Sequence, residues 1–223
     1  MGDAAALLPR RPEAILFDFD GVILDSAELK TAAFASIYED EEPAKIAAVV
    51  AYQRYHGGVN RLAKFAYFET EIFGRDATHQ RLEELSAAFT DISYDSVLAA
   101  PFVDGAVEFL QAARRKAAMY LVSGTPQQEL QSIVVKRGLS RFFDEVIGAP
   151  ELKRDAFAFL LRSGAHPPGR ALAIGDAITE CEAALALGVP FLGVVAAGAE
   201  ATFPHSIPVV RNLVGLANLL GFT

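Results

Sequence analysis

Apolar positions along the chain fall into two patterns. Short unbroken runs at Ala14 to Phe17, Ala118 to Val122, Ala171 to Ile174 and Phe191 to Val195 suit strands covered on both faces. Between the first and second run lies a long stretch with helical spacing. Asp25 to Tyr38 predicts a helix capped by Asp25 or Ser26, ending in the acidic Glu39-Asp40-Glu41-Glu42. Pro43 suits the first turn of a helix through Arg54, and Gly57-Gly58 breaks it. Val59 to Phe73 resumes the periodicity through Leu62, Phe65, Ala66 and Phe68, and Leu82, Leu85, Ala88 and Phe89 mark the stripe of a fourth helix. No strand is predicted from there to about Ala100, so this segment reads as an inserted helical cap.

Beyond Ala100 strands and helices alternate. Helices are predicted from Asp104-Gly105 to Arg115, Gln127 to Lys136, Lys153 to Ser163, Ala177 to Leu187 and Val209 to Leu220, with a short strand at Asp144 to Ile147. Apolar strands joined by helical crossovers imply an α/β fold, a doubly wound parallel sheet with helices on both faces. Residues 1–25 and 101–223 are the expected core and 26–100 the expected cap.

Composition narrows the function. The 223 residues are 52% hydrophobic and 22% charged, which fits a globular chain able to bury a full core. A formal charge of -8 argues against a nucleic-acid interface, which would carry a basic patch. Cys181 is the single cysteine, so neither an intrachain disulfide nor a cysteine-rich metal site is available. In Met1 to Arg11 the arginines follow the apolar stretch, the wrong order for a secretory signal, and no apolar run is long enough for a membrane helix. A soluble cytoplasmic protein, monomer or homodimer, without nucleic-acid or membrane partners, is expected.

The candidate chemistry lies at strand ends. Asp18 and Asp20 close the first run before Gly21, Ser123-Gly124 follows the second, and Gly175-Asp176 the third. Ligands of open α/β sheets gather outside the carboxyl ends of such strands. Two carboxylates about 4 Å apart repel by roughly 4 kcal/mol at an effective dielectric near 20, so a shared proton, a base or a hard cation must offset them. Lys153, early in a helix, lies where a cation can reach the same place. Together these residues form a phosphoryl-transfer set. Asp18 is the candidate nucleophile and Asp20 the general acid and base. Asp18, Asp176 and the Asp20 carbonyl are the candidate magnesium ligands. Ser123 and backbone donors near Phe19 and Gly124 would hold phosphoryl oxygens, with Lys153 balancing charge.

Asp18-Phe19-Asp20-Gly21-Val22, Ser123, Lys153 and Gly175-Asp176 with Glu180 resemble, in order, the four motifs of the haloacid dehalogenase superfamily. The helical insert after the first motif is similar to the cap of its phosphoglycolate phosphatase and β-phosphoglucomutase branch. The resemblance implies a Rossmann-like core, magnesium dependence and a lid over a small phosphorylated metabolite, a sugar or sugar-acid phosphate. It implies a dehalogenase less, because Asp20 is present. Glu180 stands where the family usually has aspartate, which leaves it a metal-linked or water-mediated role. A sugar phosphomutase shares all four motifs and is the alternative, and a non-catalytic module retaining the fold is a third reading. Phosphonoacetaldehyde hydrolases use a cap lysine, for which Lys30, Lys45 and Lys64 are candidates without a distinguishing context.

In the cap, Tyr52 to Arg61 carries two arginines and a histidine around Gly57-Gly58. Arg61 is read as a bidentate clamp on the leaving group, with His56 and Asn60 as further hydrogen-bonding groups. Such a break is also an ordinary solvated turn, Asp176 an ordinary helix cap and Ser123 an ordinary turn residue. His79, His166 and His205 read as surface residues, Cys181 as a small core residue, and the phenylalanines at 102, 109, 142, 143, 157 and 159 as core packing.

Overall fold

A computed structural model describes residues 8–222, so the first seven residues of the stretch read for a secretory signal lie outside it. Among these residues six strands form one parallel sheet: β1 (Ala14–Phe17), β2 (Ala118–Pro126), β3 (Glu145–Ala149), β4 (Ala171–Gly175), β5 (Phe191–Val194) and β6 (Val209–Val210). Among the described residues nine α-helices accompany them: α1 (Ala27–Ile37), α2 (Pro43–Tyr55), α3 (Arg61–Tyr67), α4 (His79–Ala99), α5 (Ala106–Ala113), α6 (Gln127–Lys136), α7 (Lys153–Ser163), α8 (Ile178–Ala186) and α9 (Leu216–Leu220).

The strand order β3-β2-β1-β4-β5-β6 puts β1 in the centre. Phe17 pairs with Leu121 on one side and Ile174 on the other, so Asp18 leaves the sheet between the ends of β2 and β4. The chain runs outward in both directions from here, which makes this the crevice where such sheets bind ligands. Alternation along β1 divides the core. Ile15 and Phe17 pack with Phe109, Leu110 and Ile133 on the face of α5, α6 and α9. Ala14 and Leu16 pack with Phe157, Leu160 and Ala184 on the face of α7 and α8.

Helices α1 to α4 enclose a separate core of Phe34, Tyr38, Phe65, Phe68 and Phe89. Phe34 lies 4.3 Å from Phe89 and 5.2 Å from Phe65 between ring centroids. A π-helical turn, Phe68–Ile72, prolongs α3 and turns Glu69 inward, where it accepts from the Tyr38 hydroxyl at 2.9 Å and pairs with Arg81. No helix among the described residues is long and apolar enough to cross a membrane.

Three expectations are corrected. The last helix is confined to Leu216–Leu220, because Val209 and Val210 join the sheet edge beside Gly193 and Val194 and Gly215 turns at positive φ before the helix. The residues after Val122, read as a turn, stay on the ladder to Pro126 through a register shift. Phe159 is exposed, since Phe157, Leu160 and Leu161 take the inward face of α7, and Phe102 is only partly buried.

Phe65→Ala removes the residue that touches four other rings of the cap core, and is expected to lower the unfolding free energy by about 3–5 kcal/mol. Urea unfolding would measure it, and a loss below about 1 kcal/mol would contradict the packing described.

Candidate active site

Asp18 extends β1 by one residue, donating its backbone N–H to Ile174 O at 2.9 Å, and its side chain is buried at the sheet's carboxyl edge. Lys153, the first residue of α7, reaches Asp18 Oδ1 at 2.6 Å and Glu180 Oε1 at 2.5 Å. A lysine in a helix's first turn is opposed by the helix dipole, and these two carboxylates hold it there. Glu180 Oε2 also accepts from the Ala177 N–H, which places Glu180 at the start of α8. Oxygens of Asp18, Asp176 and Glu180 lie within 4.8 Å of one another.

The electrostatics show an excess of negative charge. Burial pushes Asp18 up to about 6, with Lys153 opposing and Glu180 adding to the rise. Asp176 is pushed well above the usual carboxylate range by burial and then by Asp18 and Glu180. Burial works against the Lys153 charge, but its two carboxylates more than offset that and hold it above the ordinary lysine range. An oxygen-only cluster short of positive charge fits a hard divalent cation. Gly21 makes the cluster possible, since it turns at φ 74° and any Cβ there would overlap the Asp176 carboxylate.

Asp20 belongs to a second set of contacts. Ser26 Oγ donates to its Oδ1 at 2.6 Å, and Lys30 Nζ to its Oδ2 at 2.5 Å and to Thr125 Oγ1 at 2.7 Å. Burial works to raise Asp20, but the Lys30 charge, its hydrogen bond and that of Ser26 hold it below 3.8. Ser123 is buried beside it, donating to Thr125 Oγ1 at 3.0 Å and accepting from the Thr125 N–H.

The cap closes on this edge through Gly57-Gly58-Val59. A Cβ on Gly58 would overlap Glu180 Oε1 and Thr179 Oγ1, and one on Gly124 would come within 3.0 Å of Gly58 O. Beneath the loop is a cavity of about 40 Å³, with Asp18, Asp20, Ser123, Gly124 and Asp176 in its core wall. At roughly 10–15 Å³ per water it holds only a few molecules.

The cap candidates fare differently. Arg61 lines the cavity, but both its Nη2 contacts go to Glu129 at 2.8 and 2.9 Å and its Nη1 to Thr90 at 2.7 Å. Its guanidinium is committed to α6 and α4, not free as a clamp. Asn60 caps α3, accepting from the Ala63 N–H at 2.9 Å, and His56 ends α2 against the Tyr52 ring; neither lines the cavity. Lys45 lies over Phe73, whereas Lys30 and Lys64 do line the cavity. Gln53 and Thr125 also line it and had not been singled out. The available signal was spacing: Lys30 and Phe34 share a face of α1, and Lys64 follows Arg61 by one turn of α3.

The haloacid dehalogenase-like hydrolase family model matches residues 12–188. Phosphoglycolate phosphatase 1 of Pseudomonas aeruginosa is 29% identical over 191 residues, covering 81% of this chain and 68% of that protein. Phosphoglycolate phosphatase of Pseudomonas savastanoi pv. phaseolicola is 26% identical over 188 residues, covering 80% and 67%. Among solved structures, CbbY from Rhodobacter sphaeroides in complex with phosphate superposes with a TM-score of 0.72 at 18% identity, covering 94% of this chain and 99% of that one. At that identity the structural likeness speaks to fold.

Lys64 carries a stability cost that can be read by titration. Burial, and then the nearby Lys30, push its ammonium down to about 7 from 10.5. The unfolded chain therefore binds this proton more tightly, and the penalty is complete below pH 7 and fades as pH rises toward 10.5. Lys64→Met is expected to raise the unfolding free energy by up to about 4 kcal/mol at pH 6, with the gap to the native chain narrowing through pH 9. Thermal or urea unfolding at the two pH values checks this. A gap that widens with pH would reverse the sign.

Proposed function

Because the chain belongs to the haloacid dehalogenase-like hydrolases, we propose that it is a magnesium-dependent phosphatase that hydrolyses a small phosphorylated metabolite through an aspartyl phosphate on Asp18. The observation that carries this reading is the buried Asp18–Lys153–Glu180 contact beside Asp176, under a cavity of a few waters' volume. The relatives named phosphoglycolate phosphatases support a small acid or sugar-acid phosphate as substrate. In this reading residues 26–100 are the cap.

Asp18, Asp176 and the Asp20 carbonyl would hold the magnesium, with Glu180 near enough to join them directly or through water, and the cation would neutralise charge so that an anionic ester can approach. Lys153 occupies Asp18 Oδ1, leaving Oδ2 to attack phosphorus. As that bond forms, the ester P–O bond breaks and the leaving oxygen takes a proton from Asp20. Ser123 and the backbone around Gly124 hold the phosphoryl oxygens. Water then gives its proton to Asp20 and attacks phosphorus, which restores the Asp18 carboxylate and releases phosphate. The ionised Asp20 held by Ser26 and Lys30 has the form of the base in this second step, and protonating the leaving group requires that Lys30 release it.

Phosphate release from a panel of small phosphomonoesters, with magnesium and with chelator, tests the reading. Release is expected to require magnesium and to fall roughly 10³-fold or more in Asp18→Asn. Activity retained by that variant would remove Asp18 as the nucleophile. Isomerisation of a sugar phosphate seen by phosphorus NMR, without phosphate release, would favour the mutase, and silence in both assays the non-catalytic module. Gly58→Ala should lower kcat/KM by about tenfold or more while the fold persists, because the loop can no longer seat on Glu180. Circular dichroism alongside the kinetics separates this from unfolding.

A further inference from the structure

Gln53 and Lys64 stand in the cap wall of the cavity, and the proposed chemistry uses neither. Gln53 is 5% exposed on α2, and its Oε1 is wholly buried with no hydrogen-bond partner among the described residues. A buried acceptor left unpaired is costly, and one that lines a cavity asks for a donor from whatever fills it. Lys64 is 4% exposed on α3. It gives one hydrogen bond, to Gly57 O at 2.6 Å, and its ammonium lies 5.5 Å from the centre of the Phe34 ring. An ammonium has three N–H donors, and no carboxylate pairs with this one among the described residues. Lys30 and Lys153, by contrast, each hold a carboxylate. The two cap side chains are thus complementary in what they lack: one an O–H donor, the other an anion.

We propose that Gln53 and Lys64 form the leaving-group subsite and select phosphomonoesters whose leaving group carries an anionic oxygen next to a hydroxyl, a phosphorylated hydroxy acid. The proposal rests on the phosphatase reading and assigns specificity to α2 and α3. It does not fall to Arg61, whose guanidinium is spent on Glu129 and Thr90. The substrate's anion faces Lys64 and its hydroxyl donates to Gln53 Oε1. An anion there also favours the charged form of Lys64, which burial otherwise disfavours.

The test compares four small esters: 3-phosphoglycerate with both features, 2-phosphoglycolate with the carboxylate alone, glycerol 3-phosphate with hydroxyls alone, and ethyl phosphate with neither. The native chain should prefer 3-phosphoglycerate to ethyl phosphate by about tenfold or more in kcat/KM. Lys64→Met should lose about tenfold more on the two carboxylate esters than on ethyl phosphate, and Gln53→Leu more on the hydroxylated esters than on 2-phosphoglycolate. A uniform loss across all four esters, or an unchanged ranking, overturns the proposal. Binding of glycerate, glycolate and glycerol alone, followed by NMR, needs no turnover. If no ester releases phosphate yet glycerate binds more tightly than glycerol and Lys64→Met removes the difference, the subsite stands and the phosphatase reading falls. If glycerate binding ignores Lys64→Met, the subsite is overturned whatever the turnover.

Discussion

The ammonium of Lys153, buried between Asp18 and Glu180, is the contact on which the site depends. Each of these charges alone would be expensive away from water, and an opposite charge about 4 Å away returns only roughly 4 kcal/mol at an effective dielectric near 20. The group is tolerated because separate elements converge on it. The central place of β1 brings Asp18 beside β4 and hence near Asp176, while α7 and α8 lie on one face of the sheet and deliver Lys153 and Glu180 from their first turns. One lysine against three clustered carboxylates leaves negative charge in excess. Burial raises Asp18 and Asp176, with the neighbouring carboxylates adding to the rise, and the excess of acceptor oxygens gives the cluster its fitness for a hard cation.

Two lysines divide the two aspartates of the first strand end. Lys153 from the core holds Asp18, and Lys30 from the cap's first helix holds Asp20. Their environments push the carboxyls apart, Asp18 upward through burial and Asp20 downward through Lys30 and Ser26. Carboxylates separated in this way usually have separate roles. In the proposed mechanism the direction matters as well: Asp18 would attack ionised, which a cation beside it would favour, and Asp20 would donate its proton from the neutral form, which Lys30 opposes. Because Lys30 sits on α1, the charge that holds Asp20 low comes from outside the sheet that carries it.

The strand-end placement of these residues was legible because it is local. Apolar runs that stop at Asp18, Ser123 and Asp176 announce both the strand and the residue it presents, and a parallel sheet gathers those ends into one crevice. What escaped the sequence depends on partners far along the chain. Arg61 has the spacing of a loop arginine, and nothing local shows that Glu129, on a core helix, takes its guanidinium. Gln53, Lys30 and Lys64 look like polar residues on amphipathic helices until the cap is folded against the sheet and they turn out to be buried. The misread at Val209 has the same origin. Two valines at a sheet edge and a helical turn beyond them have one apolar periodicity, and only the neighbouring β5 decides between them.

Two of the contacts between the cap helices and the core differ in kind. The seat of Gly58 on Glu180 and Thr179 is steric and tolerates no side chain. The Arg61–Glu129 pair is ionic and nearly dry, with 5% and 8% of the two side chains exposed. Such a pair is weak as a source of net stability, because desolvation cancels most of its attraction, but it is demanding about geometry. The pair therefore does more to fix where α3 rests over α6 than to add net stability. Through Gly57 the same loop accepts the hydrogen bond of Lys64, and through Gly58 it abuts Glu180, which pairs with Lys153 and so reaches Asp18. The cap lysine and the strand-end aspartate are therefore joined by a continuous run of packed and hydrogen-bonded groups that passes through this loop.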